Sequence, residues 1–350
     1  MAAADERPGG PAGGTKVRGR MPDVEMTSAV STGTAPERAT DEPREPGAAD
    51  RAGGPGRRSE LAAGLLRAAR PKQWLKNVLV LAAPGAAGVL LSPPVLAEVA
   101  LAFVALCLVA SGTYFLNDAG DVESDRAHPT KRRRPIAAGI VSVRLAVAVG
   151  IALMLVGFVV AFAVGWLFLL VVALYVGLSS AYTLSLKHVA VVDIAVIASF
   201  FVLRAVAGGV AADVPISRWF LIVASFGSLF VVAGKRYGES LDLGEQRGSV
   251  RATLALYSPD YLRFVWTMAA GVTLTAYCLW AFEQAPARAE TFPFFELSIV
   301  PFGLFVLRYA LMVETGRASA PEDVILGDRT LQLLGVAWIA VFGAGVYLGG

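Results

Sequence analysis

The sequence predicts an all-α, polytopic membrane protein of about nine transmembrane helices. Two observations carry that prediction. Of the 350 residues, 55% are hydrophobic and only 17% charged, and the apolar residues fall in long runs, a pattern ordinary soluble domains do not show. Pro, Gly and charge clusters then separate those runs where interhelical connections would stand. The formal net charge of +3 is small, so the placement of Lys and Arg, not their sum, carries information about topology. Nothing in that balance points to a nucleic-acid partner. The two cysteines, Cys107 and Cys278, sit inside apolar runs and imply neither a disulfide framework nor a zinc site. Two histidines, His128 and His188, cannot supply a multi-histidine metal centre.

Residues 1–60 are rich in Gly, Ala, Pro, Arg, Asp and Glu, with almost no large apolar side chains. They cannot bury enough surface to offset ordering entropy, so a disordered tail is expected. The tail has no apolar core near Met1, so targeting falls to the first span. Residues 61–350 are expected to form one transmembrane domain. At its start, R-P-K-Q-W-L-K-N (Arg70 to Asn77) places Trp74 as an interfacial anchor beside cations. The spans are expected near 77–92, 95–116, 142–163, 165–184, 191–212, 217–234, 262–283, 293–312 and 330–349. The first is short and contains Pro84 and Gly85, which leaves three readings open: an earlier start, a kink or only partial insertion. Loops after even-numbered spans hold Arg126, Lys131 to Arg134, Lys187, Lys235, Arg236, Arg247, Arg251, Arg317 and Arg329. Loops after odd-numbered spans hold little beyond Arg218 and Arg288. The positive-inside bias therefore predicts a cytoplasmic N-terminus and an external C-terminus.

The strongest chemical signal is N-D-A-G-D-V-E-S-D, Asn117 to Asp125, at the cytoplasmic end of the second span. On a helix, Asn117, Asp118, Asp121 and Asp125 share an arc of about 100° over roughly two turns, while Glu123 points away. Such a stripe of hard oxygens suits Mg²⁺, which prefers one or two protein carboxylates plus substrate phosphate oxygens. Chance would scatter the acids of a merely solvated helix end. Downstream, Lys131 and Arg134 are candidate phosphate contacts, Arg offering a planar fork; Arg132 and Arg133 read as topology determinants.

A second polar island, at the junction of spans 4 and 5, contains Tyr182, Lys187 and Asp193. An aspartate one turn into an apolar segment demands a cation or metal partner. Arg204 lies on nearly the same face about 16 Å deeper, either lining a cavity or pairing with a neighbour. A third island, G-K-R-Y-G-E (Gly234 to Glu239), brings Lys235 and Arg236 to the same level for anion capture. Asp242, Glu245 and Arg247 read as a solvated loop. The string P-E-D-V-I-L-G-D-R-T (Pro321 to Thr330) reads either as a segment closing over the site or as a capped helix start.

Taken together, N-D-x-x-D-x-x-x-D, the basic K-x-x-R-P, Y-T-L-S-L-K-H, R-A-V-A-G-G-V-A, V-A-G-K-R-Y and D-R-T-L-Q-L-L resemble the UbiA superfamily of intramembrane prenyltransferases across residues 65–350. The resemblance implies a helical bundle around a central, cytoplasm-facing cavity in a bacterial plasma membrane. One departure matters: the superfamily's second motif is usually D-x-x-x-D, but four residues after Asp193 stands Ile197. That puts a site with two complete acidic clusters in doubt and is similar to the phosphoribosyltransferase branch. The branch implies transfer of 5-phosphoribosyl from phosphoribosyl pyrophosphate to decaprenyl phosphate, which supplies cell-wall arabinan synthesis. Mg²⁺ would be the cofactor.

By that resemblance Asn117, Asp118, Asp121 and Asp125 are the metal set, and Asp118, Asp121, Asp125 and Lys187 the catalytic set. Lys76, Asn77, Asn117, Lys131, Arg134, Tyr182, Lys187, Asp193, Lys235 and Arg236 are the substrate contacts. The alternative enzyme moves a polyprenyl group from its diphosphate to an aromatic or haem acceptor; a complete second aspartate motif would have favoured it. A transporter would line a path with charge across the bilayer, whereas here the charges gather at one face. Homo-oligomerisation is left open.

Overall fold

The computed structural model describes residues 55–243, 252–287, 292–317 and 321–348. Glu245, Arg247, Arg251, Arg288 and most of the predicted tail lie outside the described residues. Within them, eight helices are long and apolar enough to cross a membrane. The first helix, α1 (Pro55–Ala69), begins ahead of the predicted boundary at Leu61. A 3-10 segment (Pro71–Leu81) and one turn of helix, α2 (Ala82–Ala86), follow. Then come α3 (Pro93–Gly120), α4 (Val122–Ala127), α5 (Val143–Val164), α6 (Trp166–Leu184), α7 (Val192–Ala211) and α8 (Arg218–Leu243). The last four are α9 (Pro259–Ala287), α10 (Phe294–Glu314), α11 (Pro321–Gly327) and α12 (Arg329–Leu348).

The first predicted span, 77–92, is the one that fails as a long helix. Trp74, Asn77 and Val80 recur every third residue, and only a 3.0-residue turn stacks such a series on one face. An α-helix would rotate it by about 60° per step. The stacked face is the inward one. Trp74 Nε1 donates to Ser111 Oγ at 3.0 Å, Asn77 is 1% exposed and Val80 fully buried. Trp74 is therefore tied to α3. Eleven 3-10 residues and five α-helical ones still reach about 30 Å, the thickness of the hydrocarbon core. The segment is long enough to cross without being one α-helix.

Two glycine contacts show how closely the elements approach. A Cβ built on Gly208 of α7 would lie 1.8 Å from the Val80 carbonyl oxygen, and one on Gly112 of α3 would lie 2.5 Å from Met154 Cγ of α5. Small residues at helix contacts allow this in lipid, where packing replaces the hydrophobic drive. The helix α7 is the wall shared by two cores. Its Ile194 and Ala198 pack with Phe230, Trp266 and Tyr309, and its Ala207 and Ala211 pack with Val80, Val109 and Phe168. Outward, α5, α6 and α12 present Leu155, Val159, Phe162, Leu174 and Leu333, as lipid contact requires.

Arg204, left by the sequence between two roles, pairs. Its Nε donates to Asn77 Oδ1 at 2.7 Å, Nη1 to the Phe200 carbonyl at 2.7 Å and Nη2 to Tyr175 Oη at 3.0 Å. It also lies 4.9 Å over the Tyr175 ring. The 3-10 segment, α6 and α7 are thereby joined through one side chain. At the other end of the chain, Asp328 caps α12 through Leu331 N at 2.8 Å and accepts from Arg308 Nη2 at 2.7 Å. The Arg308 contact, then the cap, holds the Asp328 carboxyl below its ordinary range. The capped helix start is thus the reading the structure gives.

A Gly208→Ala substitution should push the 3-10 segment off α7 and cost about 3 kcal/mol. Gly271→Ala, where a Cβ meets nothing within 4 Å, should be near neutral. Thermal unfolding of the detergent-solubilised pair checks this; equal melting points would refute the close packing.

Candidate active site

The predicted polar islands come together at one end of the bundle, where α3, α6 and α8 finish and α5, α7 and α9 begin. They form two groups. The first is built on α3, which runs through Gly120 and carries Asn117 and Asp118 as its last turn. Asp121 ends it with φ −92° and ψ 8°, and α4 resumes at Val122. The i to i+4 bonds continue across the break, Asp121 N to Asn117 O at 2.9 Å and Asp125 N to Asp121 O at 2.8 Å. The acidic stripe therefore survives the change of helix. Asp118 and Asp125 are 3% and 2% exposed, whereas Asp121 is open to solvent and Asn117 half-buried.

Two buried carboxylates require positive partners. Arg134 Nη1 donates to Asp118 Oδ1 at 3.0 Å and Asp125 Oδ2 at 2.7 Å, so one nitrogen gathers both acids. Arg134 is set by the next residues. Ile136 and Val141 bury in a core with Ala68 of α1 and Phe115 of α3, and Arg126 Nε holds the Ala137 carbonyl at 3.1 Å. The second cation is Arg70, which the sequence reading missed. Its Nη2 lies 2.5 Å from Asp118 Oδ1, and its guanidinium lies 4.7 Å over the Tyr114 ring. The only sequence signal was its place in R-P-K-Q-W beside a proline. Lys131, Arg132 and Arg133 are exposed. Lys76 Nζ meets Gln73 Oε1 at 2.6 Å. Asn77 is not at the stripe: it faces Arg204 and also meets Cys107 Sγ at 3.2 Å. That placement sets it apart from the acidic stripe.

The second group surrounds Asp193, which is fully buried. Tyr257 Oη donates to Asp193 Oδ1 at 2.5 Å and Thr253 Oγ1 to Oδ2 at 3.3 Å. Arg236 Nη2 stands 3.6 Å from Oδ2 and is the partner cation that burial demands. Arg236 Nη1 donates to Glu239 Oε2 at 2.9 Å, with Lys235 Nζ 3.8 Å from Oε1. Nε and Nη2 of Arg236 are buried with no hydrogen-bond partner. Tyr257 also accepts from Val191 N at 2.5 Å, and Val191 holds φ 69°, rare for a β-branched residue. Burial first, then the bond to Asp193, keeps the Tyr257 hydroxyl protonated well above its ordinary range. Thr253 Oγ1 also reaches the Lys187 carbonyl at 3.4 Å, so Lys187 stands beside this group, while Tyr182 packs edge-on to Phe200. Tyr257 and Thr253, 64 and 60 residues from Asp193, left no periodic trace in the sequence.

An apolar cavity of about 380 Å³ lies in the other half of the bundle, among Leu79, Phe201, Trp219, Tyr277, Trp280 and Trp338. The resemblance implied a cavity opening on the acid-bearing face; this one reaches the α7–α8 connection, the opposite end of α7 from Asp193. Along α8 it stops at Ser228, about 12 Å short of Arg236. Among the described residues no three His, Cys, Asp or Glu side chains gather around a point fit for a metal. Asp118 and Asp125 share Arg134 Nη1, and two carboxylates leave the remaining positions of a divalent ion to be filled by phosphate oxygens and water.

The model of the UbiA prenyltransferase family matches residues 78–345. The decaprenyl-phosphate phosphoribosyltransferase of Corynebacterium glutamicum is 47% identical over 299 residues, covering 82% of this chain and 88% of that protein. The Mycobacterium tuberculosis protein of the same name is 48% identical over 296 residues, covering 83% and 97%. In architecture the chain is similar to a UbiA homologue from Archaeoglobus fulgidus bound to GPP and Mg²⁺. The TM-score is 0.62 at 18% identity, over 81% of this chain and 99% of that one. With its helical bundle, acidic stripe and matched length, this chain belongs to the UbiA prenyltransferase family.

Proposed function

We propose that the protein is a phosphoribosyltransferase that moves 5-phosphoribosyl from phosphoribosyl pyrophosphate to decaprenyl phosphate, releasing diphosphate at the cytoplasmic face of the plasma membrane. The observation that carries this reading is Arg236. Where a second acidic motif would hold another metal, the chain has Ile197 and a buried guanidinium whose Nε and Nη2 make no hydrogen bond although Asp193 and Glu239 lie beside it. Such a group asks for an anion, and an acceptor phosphate supplies one where an aromatic ring would not. The decaprenyl-phosphate phosphoribosyltransferases to which the chain is similar support the same choice of substrates.

Asn117, Asp118, Asp121 and Asp125 would hold Mg²⁺, which neutralises charge on the leaving diphosphate. The lipid phosphate oxygen attacks C1 of the ribose while the bond from C1 to the diphosphate oxygen breaks. The products are decaprenylphosphoryl-5-phosphoribose, a precursor for cell-wall arabinan, and diphosphate. The nucleophile is already anionic, so no general base is needed. Arg134 and Lys131 stand on the acidic side for the diphosphate. Lys187, Lys235 and Arg236 stand around Asp193 for the acceptor or the 5-phosphate, with Tyr182 and Lys76 at the margins. Asp193 positions Arg236 and does not serve as a further metal ligand. We assign catalysis to residues 61–350 as one domain. A cavity of the size seen takes one drug-sized apolar group, so most of a ten-isoprene tail would remain in the lipid.

Purified protein given Mg²⁺, labelled phosphoribosyl pyrophosphate and decaprenyl phosphate should pass label to the lipid phase. Transfer from a polyprenyl diphosphate to an aromatic acid, with none from the sugar diphosphate, would overturn the reading. Asp121→Asn, at an exposed position, should cut turnover by about 100-fold or more at an unchanged melting temperature. Asp118→Asn should lose turnover equally and also some stability, since it leaves Arg70 and Arg134 under-compensated. Tyr257→Phe should release Asp193 and cost about 1–3 kcal/mol. Its KM should rise more than its kcat falls, because the tyrosine acts through Arg236 on binding; a melting shift without a KM effect would make it a fold residue only.

A further inference from the structure

The two arginines on the acids differ from the cation of the other group. The side chains of Arg70 and Arg134 are 31% and 30% exposed, that of Arg236 only 3%. Arg70 sits at the joint between α1 and the 3-10 segment with φ 55° and ψ 60°, a backbone state that L-residues adopt at a cost. Arg134 is extended, at the end of a surface turn. Both are attached where a side chain can swing, and both currently hold the carboxylates assigned to the metal.

Charge arithmetic then constrains what happens on loading. Asp118, Asp125, Arg70 and Arg134 form a neutral quartet. A divalent ion added alone leaves positive charge in excess, of which exposed Asp121 offsets only one unit, and must compete with both guanidiniums. A diphosphate added alone meets arginines already satisfied. Added together, the ion takes the two carboxylates and the two arginines turn to the diphosphate, whose negative charge exceeds theirs and leaves room for a further cation such as Lys131.

Resting on the reading of this site as one for Mg²⁺ and diphosphate, we infer that Arg70 and Arg134 exchange partners. They hold the carboxylates in the unloaded protein and the diphosphate oxygens once the divalent ion has taken the carboxylates. Arg70 is thereby assigned as a substrate ligand, alongside Arg134. The exchange couples metal and diphosphate binding, and the coupling is reciprocal.

The test measures Mn²⁺ affinity by electron paramagnetic resonance on the detergent-solubilised full chain, with and without inorganic diphosphate, for wild type, Arg70→Gln and Arg134→Gln. Each variant removes a competitor for the carboxylates, so Mn²⁺ alone should bind about 10-fold tighter than in wild type. The further tightening on adding diphosphate should shrink by a similar factor. Variants that fold and melt like wild type but bind Mn²⁺ alone no tighter would overturn the exchange. A merely structural arginine predicts weaker binding of both ligands and a lower melting point. If Arg70→Gln does not fold, Arg134→Gln carries the same test, since Ile136 and Val141 still anchor its loop. Absence of Mn²⁺ binding by wild type even with diphosphate would defeat the metal reading itself. Binding without the variant effect defeats only the exchange.

Discussion

A guanidinium deep in an apolar bundle whose described partners are all neutral is expensive, and Arg204 is such a group. Its cost is offset only while Asn77, the Phe200 carbonyl and the Tyr175 hydroxyl remain in reach. Three elements must therefore hold their positions together. The 3-10 segment is the most constrained of them, pressed on Gly208 by the Val80 carbonyl and fastened to Arg204 through Asn77. Two further features hang from that segment. Arg70 stands at its start, over Asp118, and Leu79 lies near its end, in the wall of the apolar cavity.

The two polar groups at the end of the bundle solve the same electrostatic problem in different ways. Around Asp193 the network is dry and many-handed, with tyrosine, threonine and arginine all on one carboxylate. In low dielectric such a network is rigid and costly to disturb. Around Asp118 and Asp125 the partners are two arginines with about a third of their side chains in reach of water. Solvent access keeps alternative pairings close in energy. One group is thus a buried, many-partnered network and the other a partly solvated set of acids and arginines.

Much of this was legible in the sequence, because hydropathy runs, loop charge and the i, i+4 stripe are local signals. The acids from Asn117 to Asp125 kept their common face even though α3 gives way to α4 at Asp121, since the hydrogen bonds carry across. The demand of Asp193 for a cation was readable from its burial alone, and Arg236 met it. The 3-10 segment was misread as a helical span because hydropathy is blind to turn geometry; the spacing of Trp74, Asn77 and Val80 was the signal to weigh. Arg70 was passed over because a cation flanking a span usually serves topology. Tyr257 and Thr253 were invisible for a different reason: their contacts depend on how α8 and α9 return to α7, which no local pattern encodes.

The wide chain separation between Asp193 and its partners has a bearing on biogenesis. Arg236 stands near the end of the next helix, and Tyr257 lies 64 residues downstream. At ordinary rates of synthesis that interval is roughly 3–13 s. Until Arg236 and then Tyr257 have been made, the aspartate of α7 lacks the partners it has in the folded chain, while the Asp118 and Asp125 group can already close on Arg134, nine residues from Asp125. The nascent chain thus completes its acidic half first and waits for the partners of Asp193 until the second half arrives, a vulnerable window for a cell's insertion and quality-control machinery.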